Sequence, residues 1–322
     1  MSNFKHSIPY LLFKTARPLQ WIKNFALYAA LLFSGFFFYT PADGSPYLVT
    51  VTYAFGVFCL LTSAVYIVND IIDLEADKKH PFKRKRPLAS GELPLPIAAF
   101  TAIALIACVF VLSLWLPIFF RALILGYFLL QMLYATKTKH IAILDVASIA
   151  LGFLIRIYAG AVVVDLHMSV WFLLTVLSAS LFLAVGKRQS ERTLIAGREG
   201  EEIGDTRASL RHYSQRLLDQ YTGMFANATW LTYALFTFQN EVDRPVERLA
   251  TFYTFLPRTL QSQKLLMLTL PFVIVGVMRY LQLIYEDKQG ESPEKVVLRD
   301  KALLAIILGF GLSVILIVYV IS

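Results

Sequence analysis

The sequence predicts an all-α integral membrane protein with nine transmembrane helices. Of its 322 residues, 57% are hydrophobic and only 16% are charged, and the mean hydropathy is +0.61. A water-soluble globular chain carries roughly 25% charged residues, so this chain needs lipid against much of its exterior. The composition therefore excludes a water-soluble enzyme, a secreted module and a disordered chain.

Nine apolar segments approach the length of about 20 residues that a bilayer-spanning helix needs. The first segment is short, and Trp115-Leu116-Pro117 alone divides the third from the fourth, so the prediction allows an error of one helix. None shows the period-two alternation of membrane β-strands. In chain order the segments are 24–39, 47–68, 95–116, 118–134, 141–164, 169–185, 217–238, 263–285 and 302–321.

The distribution of basic residues predicts how these helices are oriented. With these nine segments, 23 of the 30 Lys and Arg residues fall on one side of the membrane and five on the other. An excess of basic residues marks the cytoplasmic side. We therefore expect a multi-pass protein of the cell membrane, with a cytoplasmic N-terminus and an external C-terminus. The start of the chain has no signal-peptide cleavage pattern and is interpreted as mature sequence.

No shift in composition marks a separate soluble domain, so the sequence predicts one polytopic membrane domain over 1–322. We expect loops 70–94 and 186–216 to be cytoplasmic and to carry the functional site, and 239–262 to form an external loop. The net charge of +8 is compatible with nucleic acid, a membrane surface or a phosphorylated substrate. Because the basic residues lie in loops at one membrane face, the membrane and a phosphorylated substrate are favoured and nucleic acid is not.

A row of carboxylates follows the second segment. Asp70, Asp73 and Asp77 are spaced i, i+3, i+7, which places them on one face if the helix continues, with Asn69 beside them. We call these three the acidic stripe. Oxygen ligands of this kind suit Mg²⁺ held jointly with substrate phosphates. The alternative is a solvated helix end before a positive-inside run, which explains the basic residues 83–86 but not the acidic stripe.

The pattern Asn69-Asp70-x-x-Asp73-x-x-x-Asp77, followed by Lys83-Arg84-x-Arg86-Pro87 and Gly91, resembles the first aspartate-rich motif of the UbiA superfamily of intramembrane prenyltransferases. The resemblance implies nine transmembrane helices around a central cavity, which we expect to open to the cytoplasmic face. It also implies that the acidic stripe holds Mg²⁺ that bridges to a diphosphate, with Asn69 orienting the carboxylates.

The loop after the sixth segment departs from most of that superfamily, because it has no clear second Asp-x-x-x-Asp motif. It begins Gly186-Lys187-Arg188, and Glu201 and Asp205 are interpreted as solvated. Several other patterns resemble the phosphoribosyltransferase branch of the superfamily, namely Arg17-Pro18-x-Gln20-Trp21-x-Lys23-Asn24, Tyr134-x-x-Lys137 with Asp145, Gly152 to Gly160 around Arg156, Arg279-Tyr280 and Leu298-Arg299-Asp300.

That resemblance implies a pentosyltransferase, a class of glycosyltransferase. Members of this branch move 5-phosphoribose from phosphoribosyl diphosphate (PRPP) to a polyprenyl phosphate of the decaprenyl type, for cell-wall polysaccharide synthesis. The acceptor phosphate is already anionic, so no strong general base is needed, and catalysis consists of stabilising the leaving diphosphate and aligning the acceptor.

The predicted catalytic residues are Asp70, Asp73, Asp77 and Lys23. The donor phosphates would be held by Lys23, Lys83, Arg84, Arg86, Lys187 and Arg188, with Tyr134 and Lys137 near the donor. Arg156 is the candidate for the lipid phosphate, because an ionised group inside an apolar span usually faces a cavity or a partner. The alternative for Arg156 is a structural charge satisfied by backbone carbonyls.

Two other functions stay open on the sequence. One is a prenyltransferase of the usual UbiA type, which moves a prenyl group from a prenyl diphosphate to an aromatic acceptor. The other is a transporter, with Asp145 and Arg156 lining a pathway, although the polar groups cluster at one membrane face. The oligomeric state is also open, with a homo-oligomer as one option.

Overall fold

The computed structural model describes residues 7–42, 44–79, 83–196, 208–240, 264–286, 296 and 299–321, and within these ranges the regular structure is helical throughout. A 3₁₀ segment, Pro18–Leu27, leads into α2, and a second, Leu265–Thr269, leads into α10. The α-helices are α1 (Ile8–Ala16), α2 (Tyr28–Phe33), α3 (Tyr47–Ile72), α4 (Leu74–Lys79), α5 (Leu95–Ser113), α6 (Ile118–Thr136), α7 (Leu144–Val162), α8 (Val170–Ala196), α9 (Gln215–Gln239), α10 (Leu270–Tyr285) and α11 (Lys301–Ile315).

Seven helices in the described part of the chain are long and apolar enough to cross a membrane. They are α3, α5, α6, α7, α8, α10 with its 3₁₀ lead-in, and α11 with the π-helical turn Leu316–Ile321 that continues it. The predicted segment 24–39 overlaps a 16-residue helical run that is 3₁₀ for its first ten residues, and 217–238 lies in the more polar α9. The all-α membrane fold is confirmed, and the count of nine spans stays a prediction.

The helices are buried to different degrees. Trp115, Phe100 and Phe119, on and between α5 and α6, are 82%, 74% and 72% exposed, as expected for side chains that face lipid. Phe58 of α3 is fully buried and packs edge-on against Phe120 and Tyr127 of α6. The central helices are α3, which packs on α5 and α6, and α7, which packs on α6, α8 and the 3₁₀ segment.

The end of α3 keeps the acidic stripe in helical register. The helix is interrupted at Asp73, whose backbone φ of −86° and ψ of 2° leave the α-helical region. Nevertheless Asp73 N–H donates to the Asn69 carbonyl at 2.9 Å, and Asp77 N–H donates to the Asp73 carbonyl at 2.8 Å. Because these i→i−4 bonds continue into α4, Asp70 and Asp77 stay on the same side of the chain.

Helix α7 approaches the 3₁₀ segment through a glycine. A Cβ atom added to Gly160 would lie 1.9 Å from the Leu27 carbonyl oxygen, a backbone atom that cannot turn aside. Close approach of two backbones requires glycine at this position. The contact fixes the 3₁₀ segment, and with it Asn24, against α7.

We expect Gly160→Ala to destabilise the protein by about 1–3 kcal/mol or more, since the methyl group forces the 3₁₀ segment away from α7. The matched control is Gly126→Ala in α6, where an added Cβ meets nothing within 4 Å. Thermal unfolding in detergent should show a lower Tm for Gly160→Ala and an unchanged or slightly higher Tm for Gly126→Ala. Equal Tm values for the two variants would contradict the proposed close contact.

Candidate active site

Two carboxylates of the acidic stripe face one guanidinium. Asp70 and Asp77 are 3% and 2% exposed, and Nη1 of Arg86 lies 3.1 Å from Asp70 Oδ1 and 2.5 Å from Asp77 Oδ2. Arg17, which ends α1 in a left-handed conformation, also donates to Asp70. Lys83 Nζ lies 4.0 Å from Asp77 Oδ1. Both buried carboxylates therefore have cationic partners, as burial of charge requires.

The third carboxylate, Asp73, is more exposed and has different partners. Its side chain is 21% exposed, and Lys139 Nζ lies 2.5 Å from Asp73 Oδ1. Asn69 Nδ2 donates to Asp73 Oδ2 at 3.2 Å, which is a geometry that the predicted orienting role of Asn69 requires. Lys139 lies in the 3₁₀ turn Thr138–His140. The connection between α6 and α7 therefore contacts the acidic stripe at Asp73.

The chemistry of this donor set fits a divalent ion. Oxygen atoms of Asp70 and Asp77 converge on a single point, and carboxylate oxygens are the ligands that Mg²⁺ takes together with substrate phosphates. Arg86 Nη1 occupies that point in this conformation. Among the described residues, no group of three His, Cys, Asp or Glu side chains is placed so that it could hold a metal ion by itself. Asp70 and Asp77 could therefore hold an ion only together with oxygen atoms from other side chains, a substrate or water.

A pocket of about 270 Å³ adjoins Asp70 and Arg86. We call it the basic pocket, because five cationic side chains and one carboxylate line it. Such a surplus of positive charge attracts anionic ligands. Its lining residues are Lys14, Thr15, Arg17, Asp70, Lys83, Lys85, Arg86 and Pro87. A larger pocket of about 430 Å³ lies near Tyr47 and Val162, at the opposite ends of α3 and α7.

A second polar cluster surrounds Asp145 at the start of α7. Asp145 and Arg188 are both 0% exposed, and Arg188 Nε donates to Asp145 Oδ2 at 2.8 Å. Ser209 Oγ donates to the same carboxylate at 3.1 Å, and Tyr213 OH donates at 2.7 Å. Burial raises the pKa of the Tyr213 phenol well above its usual range. The phenol therefore stays protonated, donating to Asp145 while accepting from Ile143 N–H at 2.6 Å.

The remaining nitrogens of Arg188 also bond within the protein. Nη1 lies 2.7 Å from Glu191 Oε2, and Nη2 donates to Tyr134 OH at 3.4 Å. The guanidinium therefore ties α8 to the end of α6 and the start of α7. Tyr134 and Arg188, predicted for the donor site, meet each other at this joint, and their roles toward the donor stay predictions. Lys187, the preceding residue on α8, is partly exposed.

Arg156 lies deeper in the bundle, in a network of its own. It is 5% exposed; Nε donates to Asn24 Oδ1 at 2.9 Å, Nη1 to the Gly152 carbonyl at 3.0 Å, and Nη2 to Tyr127 OH at 2.5 Å. The guanidinium also lies over the Tyr127 ring, 4.8 Å from its centroid. The charge thus has three partners within the protein, of which one is a backbone carbonyl, and the role toward a lipid phosphate stays a prediction.

The other predicted site residues lie in the segments that carry these clusters. Lys23 precedes Asn24 in the 3₁₀ segment, Arg84 is exposed beside Lys83, and Lys137 is exposed just before the turn that carries Lys139. Glu201 and Asp205 lie outside the described residues, as does most of the predicted external loop 239–262. Arg279 and Asp300, which belong to two patterns of the phosphoribosyltransferase branch, pair through Nη2 and Oδ2 at 2.6 Å.

Sequence reasoning gives no role to three residues that the structure places in these clusters, namely Arg17, Lys139 and Tyr213. Arg17 belongs to a pattern of the phosphoribosyltransferase branch, and Lys139 and Tyr213 lie in predicted cytoplasmic loops. The available signal is that all three lie in segments predicted at the same membrane face. Pairing them requires the packing of helices far apart in sequence.

The fold and the site together define a class of helical membrane proteins whose carboxylates and cations meet at one end of the bundle. The model of the UbiA prenyltransferase family matches residues 26–299. The chain belongs to the UbiA prenyltransferase family. The predicted resemblance is thereby confirmed, and the prediction of an enzyme is confirmed with it.

The chain is similar to proteins named decaprenyl-phosphate phosphoribosyltransferase. The relative from Mycolicibacterium smegmatis is 36% identical over 306 residues, which cover 93% of this chain and 89% of the relative. The relative from Corynebacterium glutamicum is 34% identical over 316 residues, covering 95% and 86%. The similarity thus extends over nearly the whole chain.

Solved structures share the fold at low identity. A UbiA homologue from Archaeoglobus fulgidus, bound to GPP and Mg²⁺, matches with a TM-score of 0.64 and 16% identity, covering 95% of this chain and 99% of the homologue. The same homologue bound to DMAPP and Mg²⁺ gives 0.64 and 17%, covering 94% and 98%. A digeranylgeranylglyceryl phosphate synthase structure gives 0.58 and 18%, covering 95% and 98%. These matches show the UbiA fold.

We expect Asp145→Ala to destabilise the protein by about 3–5 kcal/mol, because it leaves the buried Arg188 without its closest fully buried counter-charge. Asp73→Ala removes a partly exposed ion pair and should lower the free energy of unfolding by only about 1 kcal/mol or less. Thermal unfolding of both detergent-solubilised variants measures the difference. If Asp73→Ala is the more damaging of the two, a structural role for Asp145 is wrong.

Proposed function

We propose that this chain transfers 5-phosphoribose from PRPP to a polyprenyl phosphate of the decaprenyl type, with release of diphosphate. The observation that carries the proposal is the similarity, over more than nine-tenths of the chain, to relatives named for that activity. The arrangement of charges at the end of α3 supports it, since the donor carries phosphate groups at two positions and needs cationic side chains for both.

The reaction forms one bond and breaks one. An anionic oxygen of the lipid phosphate attacks C1 of the ribose, and the C1–O bond to the diphosphate breaks, with the electron pair leaving on the diphosphate. Negative charge therefore accumulates on the leaving group while the sugar ring becomes positive. No proton has to be removed from the acceptor, so the residues need only stabilise the departing charge and align the two substrates.

The acidic stripe would hold Mg²⁺, with Asn69 orienting Asp73. When bound, the ion supplies positive charge to the leaving diphosphate. Lys83, Arg84 and Arg86 follow the acidic stripe in sequence and, with Lys23, would bind the donor phosphates. Lys187 and Arg188 would also bind the donor phosphates, and Arg188, which is fully buried in this conformation, also holds α8 in position. Tyr134 and Lys137 would lie beside the donor, and Arg156 would face the lipid phosphate.

The placement in the membrane follows from the same proposal. We infer nine spans, in which the run Pro18–Phe33 and α9 join the seven longer apolar helices around a central cavity. The cavity would open at the cytoplasmic face, where the N-terminus and the loops after α3 and α8 lie, and the C-terminus would lie outside. A lipid acceptor could then enter from the bilayer while PRPP arrives from the cytosol.

We expect the purified protein with Mg²⁺, radiolabelled PRPP and decaprenyl phosphate to yield a labelled lipid. A parallel reaction with a prenyl diphosphate and 4-hydroxybenzoate should yield no prenylated product, and chelation of divalent ions with EDTA should stop the first reaction. Thin-layer chromatography of the organic phase measures both. Product in the second reaction alone would assign the chain to the prenyltransferases that act on aromatic acceptors.

We expect Asp73→Asn to lower phosphoribosyl transfer by about 100-fold or more, the size of losing one strong electrostatic contact to a developing charge. The matched control is Glu75→Gln, an equally conservative change at an exposed carboxylate of α4 that pairs with the exposed Lys78. Initial rates at saturating PRPP measure both variants. Comparable rates for Asp73→Asn and the unmodified protein would remove Asp73 from the proposed ion site.

A further inference from the structure

We propose that Arg86 is an internal counter-cation for the ion site: its guanidinium occupies the point between Asp70 and Asp77 and competes there with a divalent ion. When the Arg86 guanidinium turns to bind an anion in the basic pocket, it leaves the point between the two carboxylates, and a divalent ion can bind there. The inference rests on the divalent-ion role in the proposed function, and it adds a coupling between the ion and the anion that the family assignment does not supply.

The first support is the geometry of Arg86. A single nitrogen, Nη1, lies within hydrogen-bond distance of oxygens from both carboxylates, at 3.1 and 2.5 Å. These oxygens therefore lie close enough together to share one cation. A guanidinium with a single positive charge takes the place that two converging carboxylates offer to a divalent ion.

The second support is the cost of leaving these carboxylates without a cation. The side chains of Asp70 and Asp77 are each 3% exposed, so water cannot solvate their charges. Two neighbouring buried anions repel each other, and burying them without a nearby cation is energetically costly. Arg86, assisted by Arg17 at Asp70, supplies that positive charge in this conformation, and any incoming ion must compete with this pairing.

The third support is that Arg86 also lines the basic pocket, together with Lys14, Lys83 and Lys85. Its side chain is 26% exposed, whereas those of its two carboxylate partners are almost completely buried. A guanidinium presents five N–H donors in a fork that matches phosphate as well as carboxylate. The Arg86 guanidinium can therefore exchange a carboxylate for an anion in the pocket through a change in side-chain conformation alone.

The consequence is a linkage between two ligands. An anion that draws Arg86 into the basic pocket frees Asp70 and Asp77 for a divalent ion, and a bound ion frees Arg86 for the anion. Each ligand then raises the affinity of the other by the same factor. The site would bind an ion weakly before the phosphorylated donor arrives and more tightly in its presence.

The test is titration of the full-length protein in nanodiscs with Mn²⁺, followed by the loss of the free-ion EPR signal, with no ribosyl donor or lipid acceptor present. Arg86→Gln should bind Mn²⁺ about tenfold more tightly than the unmodified protein, within the roughly 5- to 150-fold range of coupled sites. Sulfate, as a probe of the basic pocket, should tighten Mn²⁺ binding by the unmodified protein and have little effect on Arg86→Gln.

The matched control is Lys79→Gln, which removes one positive charge from the exposed surface of α4. It should change Mn²⁺ affinity by about twofold or less, because solvent screens an exposed charge. If Arg86→Gln does not fold, Arg86→Lys takes its place. The lysine ammonium lacks the forked N–H donors of the guanidinium, so Arg86→Lys should also tighten Mn²⁺ binding.

Equal or weaker Mn²⁺ binding by the Arg86 variants, or an equal effect of Lys79→Gln, would overturn the counter-cation role of Arg86. Failure of every variant to bind Mn²⁺, with or without sulfate, would instead contradict the divalent-ion site of the proposed function. Because the titration measures binding alone, neither result depends on whether the protein uses PRPP.

Discussion

A buried carboxylate needs a cation within hydrogen-bond distance, and this requirement organises one end of the bundle. Asp70, Asp77 and Asp145 are all almost completely buried. Asp77 pairs with Arg86 in the turn that follows, whereas Asp70 and Asp145 pair with Arg17 and Arg188 from other helices, so that charge pairing joins segments far apart in sequence. The polar end of the molecule is thus specified by charge pairing, while lipid-facing and core side chains specify the rest.

The two acidic centres differ in how their cations are held. Arg188 is fully enclosed, with Asp145, Glu191 and Tyr134 bonding its three nitrogens, so moving it would leave a buried charge unpaired. Arg86 is partly exposed beside a pocket rich in other cations. The first arrangement suits a fixed joint between helices, and the second suits a group that exchanges partners during binding.

Sequence patterns sufficed for the parts of this structure that depend on local spacing. The apolar segments predicted the helices, and the i, i+3, i+7 spacing predicted that Asp70, Asp73 and Asp77 share a face. In the structure Asp70 and Asp77 share Arg86 even though α3 ends between them, whereas Asp73 pairs with Lys139. The partners of these acids could not be predicted, because Arg17 and Lys139 come from other helices and the pairing depends on tertiary packing. Likewise, the sequence around Arg188 does not show whether its side chain is buried in the protein or faces a substrate.

The position of Arg156 shows why depth matters for an intramembrane charge. It lies eleven residues after Asp145 on α7, about 16 Å further along the helix axis. One of its hydrogen-bond partners there is Asn24, and Gly160 lets the 3₁₀ segment that carries Asn24 lie against α7. A glycine one turn away therefore helps to place a hydrogen-bond partner of a buried arginine, and a buried charge needs such partners.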